Sequence, residues 1–410
     1  MGSRSGVRES ARLENPQLMQ SYLLPVFITL SIQTQVSLIV FTPPVLAPEA
    51  QFSLGIEAAG VGLITALIYL ASVPATLVSG YCLDRIGAIR VSQVCIALTS
   101  LGMLLMITSD VLLIVLGSLI VGLGYGPITP ASSVILTSSV PRTKRGFVFS
   151  VKQSGVPLGG VIAGLIIPVL MINFGWQVAG AVVSIIGLGL ILVLNYFKEE
   201  LALISVNSPE KAQLTLLKPI ELVFKNTQLK ELALSSGVFS GMQMSLGTFL
   251  VVLLTDSANF SITAAGGALS LAMIAGAIGR PMWGFLSDRI SSPRVILGYL
   301  GLVMSMSAFT TSFVSEEWSI YAVYILSIIF GATAVGWNGV YLAAVANTVK
   351  PEMVGLATGG TLTVTYSGVV VVPLVFWGLY IQTHSYSLSF FVIGLVSLVR
   401  GILFFIPSKK

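Results

Sequence analysis

Twelve apolar runs, most of roughly 20 residues or more, fill nearly the whole of this 410-residue chain. They cover roughly 22–47, 58–82, 91–108, 111–135, 147–171, 176–197, 229–254, 263–287, 294–313, 318–346, 353–378 and 386–407, numbered here spans 1 to 12. A run of about 20 apolar residues is long enough to cross the hydrocarbon core, and in lipid only a helix satisfies every backbone N–H and C=O within one segment. Only 9% of the residues are charged, against about 25% in a soluble domain. The chain is therefore expected to be an all-α integral membrane protein with twelve transmembrane helices.

The charges test this count. Arg4, Arg8 and Arg12, Arg85 and Arg90, Arg142, Lys144 and Arg145, Lys198, Lys211, Lys218, Lys225 and Lys230, Arg289 and Arg294, Lys350, and Lys409 and Lys410 all fall on one side if there are twelve spans. The opposite loops hold no Lys or Arg, only Glu49, Glu57, Asp110, Asp256, Glu316 and Glu317. A missed or extra helix would scramble this sorting. By the positive-inside rule both termini are expected to be cytoplasmic, in a multi-pass cell-membrane protein of the bacterial inner-membrane kind. The net charge of +5 follows from topology and gives no reason to expect nucleic-acid binding. Residues 1–20 are polar and the first apolar run is too long for a cleaved signal, so none is expected. Cys82 and Cys95 lie on helices near the cytoplasmic face, where neither a disulfide nor a metal site is expected. Asn259-Phe260-Ser261 is a glycosylation triplet too close to the membrane to be read as used.

One loop occurs twice. Gly80-Tyr-Cys-Leu-Asp84-Arg85-Ile-Gly87-Ala-Ile-Arg90 returns as Gly284-Phe-Leu-Ser-Asp288-Arg289-Ile-Ser-Ser-Pro-Arg294, each between two apolar runs. The longest polar stretch, about 198–228, divides spans 1–6 from spans 7–12. The expected organisation is thus an N-terminal six-helix half (1–197), a linker (198–228) and a C-terminal half (229–410), one membrane unit used twice. Leu216 to Phe224 is apolar enough to form a short helix on the membrane surface.

With Gly80, Asp84, Arg85, Gly87 and Arg90 in one loop and a second copy that has Ser291 for the second Gly, the sequence resembles the major facilitator superfamily over nearly its whole length. The resemblance implies two six-helix bundles related by pseudo-two-fold symmetry, with a substrate site between them, worked by alternating access. It also implies that Asp84 faces the N-terminal dipole of span 11; by the repeat, Asp288 faces the start of span 5 near Gly146. Such contacts would latch the cytoplasmic gate.

Three cations lie inside spans: Lys152 in span 5, Arg280 in span 8 and Arg400 in span 12. Lys152 is about 9 Å past Gly146 and Arg280 about 12 Å short of Asp288, at 1.5 Å per residue. Arg400, on a span that is peripheral in this family, is expected to snorkel to the headgroups. The resemblance implies that spans 5 and 8 adjoin at the interface of the halves, so Lys152 and Arg280 are expected in the cavity. No span centre holds Asp or Glu. Buried cations without a buried anion are costly unless the substrate supplies it. An anionic substrate is expected, most simply a carboxylate, which suits an Arg fork.

Arg280-Pro281-x-x-Gly284-x-x-x-Asp288 is similar to the eighth helix of monocarboxylate transporters, although their first-helix signature is not recognisable. Lys152-Gln153-Ser154-Gly155-Val-Pro157-Leu-Gly159-Gly160 resembles a segment of bacterial facilitator-type carriers. Drug/proton exporters of the superfamily carry an Arg four residues before a Gly-x-Gly-x-Gly run; here Gly122, Gly124 and Gly126 are present but the Arg position is Ser118. Polar and aromatic residues that could complete a cavity are Gln33, Gln35, Tyr125, Gln243, Trp337, Asn338, Tyr341 and Tyr366. His384, the only histidine, lies in an outer loop.

The leading expectation is a secondary transporter of small organic anions, acting as a monomer without a cofactor, with a co-transported proton or an exchanged anion. Two other readings stand beside it: a carrier of a neutral or cationic compound, and a non-transporting receptor or scaffold. No nucleophile–base pair, metal cluster or phosphate loop points to an enzyme.

Overall fold

The computed structural model describes residues 16–54, 59–108, 110–197, 217–290 and 292–406. Arg4, Arg8, Arg12, Glu57, Lys198, Lys211, Ser291, Lys409, Lys410 and most of the expected linker lie outside the described residues. The described residues form helices, with no strand among them. Span 1 is Pro16–Leu54, span 6 Trp176–Tyr196, span 7 Thr227–Val252, span 8 Ile262–Ile290, span 9 Pro293–Ser312, span 11 Val354–Thr383 and span 12 Tyr386–Leu403.

Spans 2 and 3 run together as Ala59–Met106, 48 residues. A straight helix of that length would be about 72 Å long, more than twice the hydrocarbon thickness. It is not straight, because Gly87 stands at φ 77°, ψ 159°, a conformation essentially reserved for glycine. This loop glycine divides one of the eleven long apolar helices into two crossings, 59–86 and 88–106, and so makes twelve spans.

Three other spans are broken within their length. Span 4 is Val111–Tyr125 and Ile128–Ser139, interrupted at Gly126-Pro127. Span 5 is Arg145–Gln153 and Gly155–Phe174, and span 10 is Ile320–Ala334 and Asn338–Thr348, interrupted at Val335-Gly336-Trp337. In span 5 the cause is partly Pro157, which has no N–H to give to the carbonyl of Gln153 four residues earlier. Each break frees main-chain carbonyls at the level where the two bundles meet.

Spans 1–6 and 7–12 form two six-helix bundles, and they close on one another at the end that carries the repeated loops. Arg145 donates to Asn347 Oδ1 (2.9 Å) and Ala346 O (3.4 Å), and Thr76 and Thr363 share a hydroxyl hydrogen bond at 3.0 Å. Gly80 packs on Leu356, and Leu83 on Gly355. The backbones of Gly146 and Gly284 approach so closely that a Cβ on Gly284 would stand 2.3 Å from the Gly146 carbonyl oxygen. The two loop copies also share a detail that the sequence alignment contains but the motif does not state: Arg85 lies over the Tyr81 ring at 5.0 Å and Arg289 over Phe285 at 4.6 Å.

Two expectations gain detail here. Lys218–Lys225 is helical, but its Pro219 and Val223 are buried against Gly360 of span 11, so this stretch packs on the bundle; Leu216 lies outside the described residues. Arg400 does not simply snorkel. Its Nε donates to Ser235 Oγ (3.1 Å) and its Nη2 to Glu231 O (2.8 Å), tying span 12 to the start of span 7. There the Glu231 carboxylate pairs with Arg294 at 2.5 Å, while Arg294 also donates to Phe404 O, Leu403 O and Ile406 O at the end of span 12.

Candidate functional site

A cavity of about 90 Å³ lies between the bundles at the level of the helix breaks. Arg280, Gln33, Gln153, Tyr125, Asn338, Tyr366 and Gln243 all line it, contributed by spans 8, 1, 5, 4, 10, 11 and 7. Tyr69, Thr129, Val156, Ser240, Met244, Leu362, Thr365 and Val369 complete the wall, and sequence reasoning had singled out none of these. Some signal existed. Ser240 stands one turn before Gln243, and Thr365 adjoins Tyr366, so each continues a polar face already under suspicion. Tyr69, in the run Leu-Ile-Tyr-Leu, carried no such mark. In space it joins Tyr125 and Tyr366 in a triangle of rings with centroids 5.8–6.1 Å apart.

Arg280 is 2% exposed. Its Nε donates to Val335 O at 3.0 Å, the carbonyl freed at the break in span 10. Its Nη1 donates to Gln153 O, the carbonyl that Pro157 leaves without a helical partner. One guanidinium therefore caps two broken helices, one from each bundle. Its Nη2 makes no hydrogen bond with a described residue.

Lys152 is 1% exposed and stands behind the wall rather than in it. Its Nζ donates to Gln33 Oε1 (2.7 Å), Gln153 Oε1 (3.0 Å) and Thr129 Oγ1 (3.4 Å), which matches its three donors with three neutral acceptors. Because an ammonium must face the amide oxygen, Gln33 and Gln153 are turned with their NH2 groups away from Lys152. The Gln33 amide then donates to Ser37 Oγ at 3.1 Å. The two cations do not meet directly. Gln153 links them, through its side-chain oxygen to Lys152 and its main-chain oxygen to Arg280. Among the described residues no Asp or Glu is buried.

Gln35, Trp337 and Tyr341 lie elsewhere. Gln35 turns to span 6 and donates to Val183 O at 2.9 Å. Trp337 and Tyr341 are buried beside the cavity without lining it. Their rings lie 5.4 Å apart, Trp337 meets Phe239 edge-on, and the Tyr341 hydroxyl is 3.4 Å from Thr365 Oγ1. Gln243 and Asn338 share a hydrogen bond of 3.3 Å across spans 7 and 10.

Toward the repeated loops the bundles are clasped. Asp288 Oδ1 accepts from Gly146 N and Oδ2 from Phe147 N, both at 2.8 Å, which is the position the repeat assigns it at the start of span 5. The first copy brings Gly80 and Leu83 to the start of span 11, next to the exposed Asp84. Arg90 is exposed.

The sequence profile of the Major Facilitator Superfamily matches residues 26–373. The chain is 26% identical to the hexuronate transporter of Bacillus subtilis over 78% of its own length and 84% of that protein. It is 24% identical to a probable sulfoacetate transporter of Cupriavidus necator, over 85% of each. It is 27% identical to a probable galactarate/D-glucarate transporter of Escherichia coli, over 76% of each. In fold it matches the E. coli fucose:proton symporter with a TM-score of 0.74, covering 95% of this chain and 100% of that one at 14% identity. Twelve spans in two clasped bundles, a cavity between them and a profile match across most of the sequence converge on one answer: the chain is a multi-pass membrane protein that belongs to the Major Facilitator Superfamily of transporters.

Proposed function

We propose that the protein is a secondary transporter of small organic anions, with a carboxylate as the recognised group, working by alternating access in the cell membrane. The basic end, where Asp288 clasps Gly146, is the cytoplasmic gate, and both termini lie on that side. One chain forms the whole pathway, with 1–197 and 229–410 as the moving halves and 198–228 as the linker between them.

The observation that carries this reading is Arg280. A guanidinium buried at the bundle interface lines the cavity with only main-chain carbonyls as acceptors and no carboxylate beside it. A bound carboxylate would supply the missing charge and take the Nη2 donor. Gln153, turned by Lys152 so that its NH2 points away from the ammonium, adds a neutral donor to the same wall. Hexuronate, sulfoacetate and galactarate or glucarate, named for the relatives, are all acid anions, which supports the class. With no buried acid among the described residues to carry a proton, coupling would run through a proton on the substrate's own carboxyl or through an exchanged anion.

The test is uptake of labelled hexuronate, aldarate and benzoate into proteoliposomes. Arg280→Ala is expected to lower uptake of the preferred anion about 100-fold, from the loss of a charged hydrogen-bond donor worth about 3 kcal/mol. Lys152→Gln is expected to lower it less, through disordered glutamines. Undiminished carboxylate uptake in both variants would remove the proposal.

A further inference from the structure

Arg280 meets two acceptors that the protein itself provides, and one of them comes from the opposite bundle. Pro157 cannot donate to Gln153 O, and its ring also pushes that carbonyl off the helix axis. The carbonyl is then taken by Arg280 Nη1 across the interface, in a conformation where Asp288 holds the basic end shut. Lys152 is likewise matched by three neutral acceptors from its own bundle. A buried cation left without acceptors is too costly to enclose. In a carrier that lacks such acceptors, the unloaded site cannot close and only exchange of one anion for another proceeds. Here the acceptors are built into the broken helices.

We infer that the Gln153 carbonyl freed by Pro157 stands in for the substrate's carboxylate at Arg280, so that the unloaded transporter closes and returns, and transport is net flux rather than obligate exchange. This rests on the proposed anion-transport function. The substrate's carboxylate takes the free Nη2 with one oxygen and displaces the stand-in from Nη1 with the other, so the loaded carrier closes on the substrate's own oxygens and has little need of Pro157. Pro157 is thus a positioning residue acting through a main-chain oxygen. It supports the return step and leaves the loaded step alone.

The experiment compares two fluxes of the anion that the full-length protein takes up best in proteoliposomes: uptake into anion-free vesicles, which needs the unloaded return, and exchange into vesicles preloaded with the same anion, which does not. Pro157→Ala and Pro157→Gly both restore the N–H at 157; using both separates that effect from a change in helix stiffness. The wild-type protein is expected to show net uptake as well as exchange. Both variants are expected to lose net uptake fivefold or more while exchange stays within twofold, which a merely unfolded variant would not do. Exchange without net uptake in the wild type would overturn the inference and leave the anion-transport reading standing. So would variants in which both fluxes fall together or neither falls. Absence of both fluxes for every carboxylate would instead remove the functional reading, and this inference with it.

Discussion

Asp288→Asn removes a carboxylate that binds backbone across the two bundles. In the native protein each oxygen accepts one N–H at 2.8 Å from the first turn of Arg145–Gln153. Hydrogen bonds to a charged group contribute about 1.5–3 kcal/mol each, and a negative charge at a helix N-terminus about 0.3–1 kcal/mol more. Asp288 is partly exposed, so the lower ends apply. Asparagine keeps one acceptor oxygen and turns an NH2 toward the other N–H. The closed form should therefore lose about 2 kcal/mol, a shift of roughly 30-fold toward opening at the basic end. Ser150 reports on this. It is fully buried, its hydroxyl has no partner, and it packs against Gly284 and Gly339 of the other bundle. With Cys82→Ser and Cys95→Ala as background, the alkylation rate of Ser150→Cys by a soluble maleimide tracks the open population. Asp288→Asn should raise that rate roughly 30-fold. A change of less than twofold would refute the clasp as a determinant of closure.

Three further outcomes follow from the same geometry. Gly284→Ala places a methyl group 2.3 Å from the Gly146 carbonyl oxygen, which is backbone and cannot move aside, so the same Ser150→Cys rate should rise at least tenfold. Gly87→Ala must hold φ 77°, ψ 159°, at a cost of about 1–3 kcal/mol, and should lower the melting temperature of the purified protein by several degrees. Gln35→Leu should lower the melting temperature through loss of the Val183 bond, yet leave the KM for the transported anion within twofold, whereas Gln33→Leu should raise KM several-fold because Lys152 loses its 2.7 Å acceptor.

Much of the fold was readable one residue at a time. A bilayer imposes a local rule: every backbone polar group is satisfied inside its own apolar segment, and charges sort by side. That rule set the spans, and the repeated loop identified the superfamily. The breaks were less legible. Gly126-Pro127 and Pro157 announce themselves, but the interruption at Val335-Gly336-Trp337 has only glycine to mark it. The partners of Arg400 were not legible because Ser235 and Glu231 lie more than 160 residues away.

By itself, the sequence determined that this chain is a duplicated twelve-helix membrane protein, that two cations sit deep in it, and that no acid inside a span answers them. Tertiary structure alone decided which polar groups share one space. Gln33 and Gln35 are two residues apart, hence about 200° apart around one helix, and only packing shows that the first faces the cavity and the second faces span 6. Lys152 and Gln153 are separated by about 100°, which puts the amide on the wall and the ammonium behind it. Hydropathy barely distinguishes these rotations, because each buries a single polar side chain. They are settled by contacts with helices more than a hundred residues away, where Arg280 finds the carbonyl that Pro157 released.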